Sequence, residues 1–556
     1  MSSKMIIHGL DVPLCDTVHP ENTDNCFPYS FKGKKSEILP KGWQATTNSR
    51  PLPGEIVYEQ NEEMRHSDGV KIYYDVCRPN TTDKVPALLA LSPYGKGGHG
   101  FLNYVILPYR VGMPEESLSG LEKFESVDPA EWVPRGYAVV NVDIRGSWDS
   151  EGNLYIEGMQ PARDAAEIVE HIAAQPWCSG SVITRGGITD GTFVNLVYNA
   201  TVRGRQKRED IVAAAIKWPL INEYWEDKII KTEKIKIPIY AVASYGSGIH
   251  GYGTIQGFRK AQSDKKWLRI HSTQEWFDLY RKDNTDDLQK FFDRYLKGVE
   301  NDWEKTNPVR VSILTFGDRY GPQPIVNSPQ DTYPPKKTEY KRFFLSENTL
   351  SPYYSDAIGK VSYQSDDAKA PAAEFKFIFS KTTTLAGYSK AKLWVSADEA
   401  DDLDIYLSLR KVDKSGKLLE HINLPWSALP PDVSAQEDVP NSNIVKYLGP
   451  QGILRVSHRA QDPSKQDSIM PYHPHKSIDK IKPGEIVPVE IGIWPMGIKF
   501  YEGEGIVLRV QGFKDAFWEV PEFQKGNVSG VNKGKNNIHF GGRYDTVLIL
   551  PFIPNV

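Results

Sequence analysis

A glycine-rich turn in the middle of the chain has the spacing of a nucleophilic site. Residues 186–191 are Gly-Gly-Ile-Thr-Asp-Gly, and they lie between a short strand-like run and a helix-like run. Many hydrolytic enzymes hold a serine nucleophile at a strained corner between a strand and a helix, where flanking glycines relieve the crowding. Ile188 stands at the nucleophile's place, and its side chain has no lone pair. The pattern therefore predicts the geometry of a serine site without the nucleophile.

Several other side chains near this corner have the chemistry to act on a substrate. Thr189 and Asp190 directly follow Ile188. Asp190 is predicted either to cap the following helix or to serve as a general acid or base. His250 and His99 lie in glycine-containing loops, where each is either a hydrogen-bonded loop residue or a catalytic group.

Two further polar groups are predicted to be structural. Asp143 and Arg145 are interpreted as an internal pair that holds a loop. The segments 458–459 and 472–475, which contain His458, His473 and His475, have at first sight the spacing of metal ligands. No cysteine lies near them and no further ligand stands in register, so loops are the better interpretation. The glycine-rich stretch after Tyr94 lacks the Lys-Ser/Thr pair of a nucleotide-binding loop. The sequence thus predicts neither a metal nor a cofactor.

The predicted secondary structure that positions these residues differs between the earlier and the later part of the chain. Apolar runs such as Val85–Leu91 and 137–142 alternate with helical patterns, which predicts a mostly parallel sheet covered by helices. Ile211–Ile216 is predicted as a further strand. Later runs alternate at period two between turns, which predicts an antiparallel sandwich. The predicted organisation is an irregular segment over 1–54, an α/β domain over 55–304 and a mainly β domain over 305–556.

Composition narrows the classes of partner. The chain has 556 residues and a formal net charge of -4, which gives no reason to expect nucleic acid or an anionic membrane as a partner. It contains no run of about 18 apolar residues and begins without the apolar stretch of a signal peptide. The four cysteines are interpreted as reduced thiols. We therefore expect a cytoplasmic protein that acts on a small molecule, and the sequence leaves a homo-oligomer open.

Motifs spread over the chain resemble the cocaine-esterase / X-prolyl dipeptidyl-peptidase family of α/β-hydrolases. The resemblance covers roughly residues 50 to 556. It implies a catalytic α/β-hydrolase domain with a helical cap, followed by a C-terminal jelly roll that helps to wall the pocket. The motifs that carry it are Ser92–Lys96, Asp128–Tyr137, Asp143–Gly146, Gln175–Trp177, Lys266–His271, Phe291–Gly298, Ser457–Arg459 and Lys482–Glu485.

The sequence departs from the family at all three positions of the Ser-Asp-His triad. The family's serine falls on Ile188. The strand that should precede the acid continues into residues 244–248, which contain no carboxylate. The place of the triad histidine falls on Gln274, with His271 as the alternative. The helical insertion that forms the cap is also reduced to a few residues. Because the triad works as one unit, these departures predict a site that has lost serine hydrolysis.

One part of the family's apparatus is retained. By the resemblance, the Tyr94 hydroxyl and the backbone N–H of Thr189 correspond to the donors that stabilise an oxyanion. We therefore predict Tyr94, Asp190 and His250 as catalytic residues. The residues predicted to bind substrate are Ile188, Thr189, Tyr245, Gln274, Trp148 and His99.

These features predict a repurposed enzyme on the hydrolase fold. It would bind a carbonyl-bearing small molecule and promote cyclisation, isomerisation or a pericyclic rearrangement, with natural-product biosynthesis as the expected setting. Two alternatives stay open. One is an ester or peptide hydrolase whose nucleophile is Thr189 or a water activated by His250 or His271. The other is a pseudo-hydrolase that binds a small molecule without turnover.

Overall fold

The computed structural model describes residues 4–22, 31–98, 107–184, 202–248, 250–467, 469–514 and 530–554, with the backbone alone at 181–184. The chain divides into two compact units. The first comprises Met1–Pro238 with Glu275–Thr306, and the second comprises Ile239–Gln274 with Asn307–Val556.

In chain order the strands are β1 (Met5–Ile7), β2 (Leu10–Val12), β3 (Leu14–Asp16), β4 (Lys35–Leu39), β5 (Ile56–Arg65), β6 (Lys71–Arg78), β7 (Val85–Ser92), β8 (Ala138–Asp143), β9 (Cys178–Thr184), β10 (Lys207–Glu209), β11 (Ile239–Ser244), β12 (Lys266–His271), β13 (Val309–Ile313), β14 (Ile325–Gln330), β15 (Glu339–Ser346), β16 (Thr349–Ser351), β17 (Gly359–Gln364), β18 (Ala373–Ile378), β19 (Thr383–Ala397), β20 (Asp404–Val412), β21 (Leu418–Leu419), β22 (His421–Ile422), β23 (Lys446–Tyr447), β24 (Gln451–Arg455), β25 (Val487–Phe500), β26 (Gly505–Gln511), β27 (Lys535–Phe540) and β28 (Val547–Ile553). The described α-helices are Pro129–Trp132, Met159–Ala173, Ile211–Lys217, Glu223–Lys228, Gly251–Lys260, Glu275–Tyr280 and Lys282–Leu296. Short 3-10 helices span Pro108–Gly112, Glu115–Ser117, Thr232–Lys234, Trp303–Lys305, Trp426–Ala428, Gln436–Asp438 and Val456–His458.

A six-stranded sheet forms the centre of the first unit. Its strand order is β4-β5-β6-β8-β7-β9. The strands β8, β7 and β9 run parallel, whereas β4, β5 and β6 pair antiparallel. Every residue of β7 and β8 is buried, as expected for strands that are covered on both faces. Ile168 and Ile172 of the helix Met159–Ala173 belong to the core cluster of these strands.

The predicted strand Ile211–Ile216 is wrong, because this segment is the helix Ile211–Lys217. The Asp210 side chain accepts a hydrogen bond from the backbone N–H of Ala213 and caps the first turn. Three consecutive alanines favour a helix, and a short apolar run does not by itself distinguish a helix from a strand. Only Ala214 is buried in this helix, and Ile216 is 77% exposed.

The second unit contains two larger sheets. In the order β11-β12-β13-β14, the first three strands run parallel and β14 pairs antiparallel. A twelve-stranded sheet has the order β17-β27-β19-β28-β15-β16-β18-β26-β20-β21, with β24 paired to β20 and β25 paired to β19. Its pairs are antiparallel except for β16 with β18. One core cluster contains Leu268 and Ile270 of β12 together with Leu393 and Leu407 of the large sheet.

The predicted architecture, an α/β-hydrolase part followed by a mainly β sandwich, is confirmed. The three cysteines among the described residues, Cys15 in β3, Cys77 in β6 and Cys178 in β9, are free thiols. Within the described ranges, no helix has the length and the apolar character needed to cross a bilayer.

Candidate functional site

The carboxyl ends of three parallel strands define one edge of the first unit's sheet. Ser92 of β7 is opposite Asp143 of β8, and Ala90 of β7 is opposite Thr184 of β9. The chain segments that follow these strands therefore start at the same edge. Loops at the carboxyl edge of a parallel sheet are the usual place for binding sites in α/β folds.

Tyr94 lies in the loop after β7 and is held through its backbone and its ring. Its N–H donates to the Ser92 hydroxyl (3.0 Å), and its carbonyl accepts the indole N–H of Trp148 (2.7 Å). The ring packs edge-on against Phe124 with centroids 4.7 Å apart, and the residue is 6% exposed. The loop is thus fixed on both sides of Tyr94.

Asp143 fixes the next part of this loop. Its Oδ1 accepts the backbone N–H of Lys96 (2.7 Å), and the N–H of Gly97 also donates to it. The carboxyl group is buried, and burial raises its pKa to about 7 although Lys96 and the two N–H groups act in the opposite direction. The backbone of Lys96 and Gly97 is thus anchored to a buried carboxylate, which restricts its movement.

The Lys96 ammonium lies between two buried carboxylates. Its Nζ is 3.6 Å from Asp75 Oδ1, 3.7 Å from Asp143 Oδ2 and 2.6 Å from Asn61 Oδ1. Burial disfavours the charged amine, but the two carboxylates outweigh this effect and raise the pKa of Lys96. Asp75 also accepts the Tyr58 hydroxyl (3.1 Å) and the Asn61 N–H (2.8 Å). These contacts form one buried charged cluster beneath the loop.

Two glycines allow the loop to pass between Asp143 and Trp148. Gly95 has a φ of +63°, and a Cβ atom there would lie 2.2 Å from Asp143 Oδ1. A Cβ atom at Gly97 would lie 2.4 Å from the Trp148 ring. Both distances are shorter than any tolerated contact, so the close approach requires glycine at both positions.

Trp148 is enclosed by protein. Its side chain is fully buried, its backbone N–H donates to the Arg203 carbonyl (2.7 Å), and its φ is +51°. The indole packs on the glycines of the Tyr94 loop rather than facing an open pocket. Its assignment as a substrate-binding residue stays a prediction.

An aromatic group continues from Tyr94. Phe124 lies 5.0 Å, centroid to centroid, from the ring of Trp276, which is part of the helix Glu275–Tyr280. The backbone N–H of Phe124 donates to the Gly98 carbonyl, and the Tyr280 hydroxyl donates to the Ser126 carbonyl (2.6 Å). The environment beside Tyr94 is therefore largely aromatic.

The predicted pair of Asp143 with Arg145 is wrong. Arg145 forms a bidentate pair with Asp164 (2.7 and 2.8 Å) and a further ion pair with Asp68 (2.9 Å). Asp143 is paired with Lys96 instead. The two side chains diverge because Asp143 is still in β8 and points to the loop after β7, whereas Arg145 lies in the turn that follows and points to the helix Met159–Ala173.

In the second unit, the places of the family's acid and histidine lie at the carboxyl ends of β11 and β12. Ser244 of β11 is opposite His271 of β12, and the Ser244 hydroxyl donates to the Thr273 carbonyl (2.6 Å). Gln274, which is 4% exposed, donates its backbone N–H to the Asn423 carbonyl (2.6 Å). Neutral hydrogen bonds thus link these two loops to each other and to the residues around Asn423.

His421 anchors the same loop from the β22 side. Its Nε2 donates to the Ser272 carbonyl at 2.6 Å. Burial lowers the pKa of His421 to about 4, although that hydrogen bond acts in the opposite direction. The imidazole is therefore neutral at pH 7. His271, the alternative family position, has its Nδ1 3.3 Å from the Thr273 hydroxyl.

The two other predicted residues of this unit differ in their surroundings. Tyr245 is buried in the core cluster, with its hydroxyl 2.7 Å from where a Cβ atom of Gly497 would be, and burial raises its pKa. His250 precedes the helix Gly251–Lys260, and its carbonyl accepts the N–H and the hydroxyl of Thr254. Both role assignments stay predictions.

Four of the predicted residues, Ile188, Thr189, Asp190 and His99, lie outside the described residues. The sequence analysis missed Lys96 and Asp75 as partners of the Tyr94 loop. A signal was present, because a lysine two residues after Tyr94 and aspartates in the neighbouring strands β6 and β8 are unusual next to continuous apolar runs.

Comparison with known proteins supports the family expected from the motifs. The sequence profile of the X-Pro dipeptidyl-peptidase (S15 family) matches residues 68–206, and that of the X-Pro dipeptidyl-peptidase C-terminal non-catalytic domain matches residues 301–549. A CocE/NonD family hydrolase from Staphylococcus aureus has a similar structure, with a TM-score of 0.80 and 26% identity, covering 97% of this chain and 99% of that one.

Curated relatives match over a shorter stretch. A putative serine esterase from Mycobacterium bovis is 32% identical over 151 residues, which are 25% of this chain and 23% of that protein. The cocaine esterase of a Rhodococcus species is 30% identical over 131 residues, which are 24% of this chain and 19% of that enzyme. The chain thus aligns with about a quarter or less of the length of these relatives. Together with the two matching profiles, these similarities establish that the chain belongs to the cocaine-esterase / X-prolyl dipeptidyl-peptidase family of α/β-hydrolases.

Proposed function

We propose that this chain binds a carbonyl-bearing small molecule beside Tyr94 and polarises its carbonyl group without forming a covalent serine intermediate. The finer assignment is a cyclisation, isomerisation or pericyclic rearrangement. Holding a flexible substrate in a reactive conformer and stabilising negative charge on its oxygen are sufficient for such reactions.

One observation carries this proposal. Tyr94 is held at the carboxyl edge of β7, next to β9, yet the chain from Val182 to Glu209, which continues from β9, contains no serine and no cysteine. A serine hydrolase of this fold needs a nucleophile in the segment after that strand. The hydrogen-bonded loops after β11 and β12, which contain no carboxylate from 244 to 248, also support the absence of a working triad.

Hydrolysis by another nucleophile is the second candidate. The relatives' names support it, since they include esterases and a hydrolase. Thr189, or a water activated by His250 or His271, would then replace the serine. Under this alternative the protein cleaves activated esters. Thr189→Ala abolishes the cleavage where Thr189 is the nucleophile, and substitution of His250 or His271 abolishes it where the nucleophile is water. Binding without turnover is the third reading.

The first test uses a fluorophosphonate probe and hydrolysis of 4-nitrophenyl esters. We expect neither labelling nor turnover above the rate in buffer. Labelling together with turnover would place a reactive serine in the site and refute the proposal. Turnover without labelling, lost in Thr189→Ala, would favour the second candidate.

The second test measures carbonyl polarisation directly. The absorption maximum of 4-dimethylaminocinnamaldehyde moves to longer wavelength when a donor binds its carbonyl oxygen, so the dye reports polarisation without a known substrate. We expect a red shift on binding that is lost in Tyr94→Phe. Tyr320→Phe is the matched control, because Tyr320 is 87% exposed in the second unit. Binding without any shift would support the third reading, a binding protein.

A further inference from the structure

The position of Tyr94 depends on side chains that lie behind its loop. The loop lies between the Asp143 carboxylate and the Trp148 indole, and glycines occupy both points of closest approach. Asp143 accepts the backbone N–H of Lys96, two residues after Tyr94, while Trp148 donates to the Tyr94 carbonyl itself. Tyr94 is therefore held in place by the hydrogen bond to its own carbonyl and by the hydrogen bond that fixes the backbone of Lys96.

We propose that Lys96 and Trp148 are positioning residues for Tyr94, which hold its loop in place through the buried cluster with Asp143 and Asp75 and through the indole hydrogen bond. The inference rests on the proposed function, because it gives these residues a task only if the Tyr94 side chain meets a ligand. Neither residue contacts the ligand in this scheme.

The charge of Lys96 is central to the argument. Asp143 and Asp75 are 1% and 5% exposed, and the Lys96 ammonium lies 3.7 and 3.6 Å from their oxygens. Asp75 also interacts with the buried Lys123 side chain, whereas Lys96 is the cation that favours the charged form of Asp143. Removal of Lys96 leaves Asp143 buried close to Asp75 and therefore drives a proton onto Asp143. A protonated Asp143 accepts the loop N–H groups more weakly, since hydrogen bonds to an ionised acceptor are about twice as strong as neutral ones.

Trp148 acts on the loop from the other side. Its indole N–H is 2.7 Å from the Tyr94 carbonyl, and its ring packs where Gly97 has no side chain. Its own backbone N–H donates to the Arg203 carbonyl, so Trp148 is also held by a part of the chain outside the Tyr94 loop. Loss of the N–H alone, in Trp148→Phe, leaves most of the packing and removes the hydrogen bond.

The alternative is that these residues stabilise only the fold. Lys411 provides a matched control in the second unit. It is fully buried, with Nζ 2.8 Å from the partly buried Glu504, so Lys411→Met also removes a buried ammonium from its carboxylate partner. A general loss of stability would affect both methionine variants in the same way. A positioning role affects the Tyr94 loop in Lys96→Met alone.

The experiment combines hydrogen exchange with the dye. Exchange of the peptide that contains residues 92–98 is measured by mass spectrometry in the full chain, together with the dissociation constant and the red shift of 4-dimethylaminocinnamaldehyde. In Lys96→Met and in Trp148→Phe we expect exchange of this peptide to be faster by roughly tenfold, as for a locally opened loop. We also expect most of the red shift to disappear while the dissociation constant changes by less than about threefold, because polarisation depends on donor geometry more than binding does.

The controls complete the test. Lys411→Met is expected to leave both readouts of the Tyr94 loop unchanged, and Lys96→Arg is expected to restore at least half of the red shift. The proposal is overturned if Lys96→Met and Lys411→Met change the loop equally, or if neither Lys96→Met nor Trp148→Phe changes it. If Lys96→Met does not fold, Trp148→Phe decides. If the unaltered protein gives no red shift, the proposed function fails, and the exchange arm alone decides whether these residues position the loop.

Discussion

Protonation of His421 is expected to destabilise the second unit in mildly acidic solution. The imidazole is 5% exposed, and its Nε2 donates to the Ser272 carbonyl in the loop that leads to Gln274. Its pKa falls from 6.5 to about 4 on burial. Between these two values the unfolded chain binds more protons at this position than the folded chain does, so the free energy of unfolding decreases as the pH falls.

The magnitude follows from the size of the shift. The fall of the pKa from 6.5 to about 4 corresponds to about 3 kcal/mol of stability, present above pH 6.5 and fully lost below pH 4. At pH 4.5 most of this contribution, between about 2 and 3 kcal/mol, is lost. A difference of this size is a large part of the total stability of an ordinary domain.

His421→Gln isolates this contribution. The glutamine amide can donate to the Ser272 carbonyl from nearly the same place but does not titrate. We measure the free energy of unfolding in urea, followed by tryptophan fluorescence, at several pH values. Between pH 7.5 and pH 4.5 it is expected to fall less in the variant than in the unaltered protein, by a difference of between about 2 and 3 kcal/mol. His19→Gln, at an exposed histidine of the first unit, is the control and should follow the unaltered protein. Coincident pH profiles for His421→Gln and the unaltered protein would refute the reasoning.

Three further substitutions test the packing of the site and of the fold. Gly97→Ala places a Cβ atom 2.4 Å from the Trp148 ring, so we expect the dye's red shift to be lost, whereas Gly248→Ala, with no atom within 4 Å of the new Cβ, should retain it. Asp210→Ala removes a helix cap and should lower the free energy of unfolding by about 1 kcal/mol in urea titrations; an unchanged value would show that the cap is not needed. Lys411→Met removes a fully buried ammonium from the partly buried Glu504 carboxylate, and it should cost about 3–5 kcal/mol in the same measurement; a cost below 1 kcal/mol would contradict this account of the ion pair.

Much of the fold follows from the local pattern of the sequence. The continuous apolar runs of β7 and β8 predicted strands covered on both faces, and the period-two alternation after residue 305 predicted the sandwich. These predictions succeed because a strand buried on both faces is a continuous apolar run, whereas a strand buried on one face alternates apolar and polar residues. The helix Ile211–Lys217 was mispredicted as a strand, because a run of only six apolar residues is compatible with either a helix or a strand.

For the candidate site, the sequence determined some features and the tertiary structure decided others. The sequence by itself determined which chemical groups are available, since the absence of serine and cysteine between Val182 and Glu209 needs no coordinates. It also identified Tyr94, through the motif that follows β7. Only the tertiary structure decided that Lys96 lies between Asp75 and Asp143, that Arg145 is paired elsewhere, and that Trp148 bonds the Tyr94 carbonyl. These partners are up to 54 residues apart in the chain, and strand order and register, rather than any local pattern, bring them within hydrogen-bonding distance.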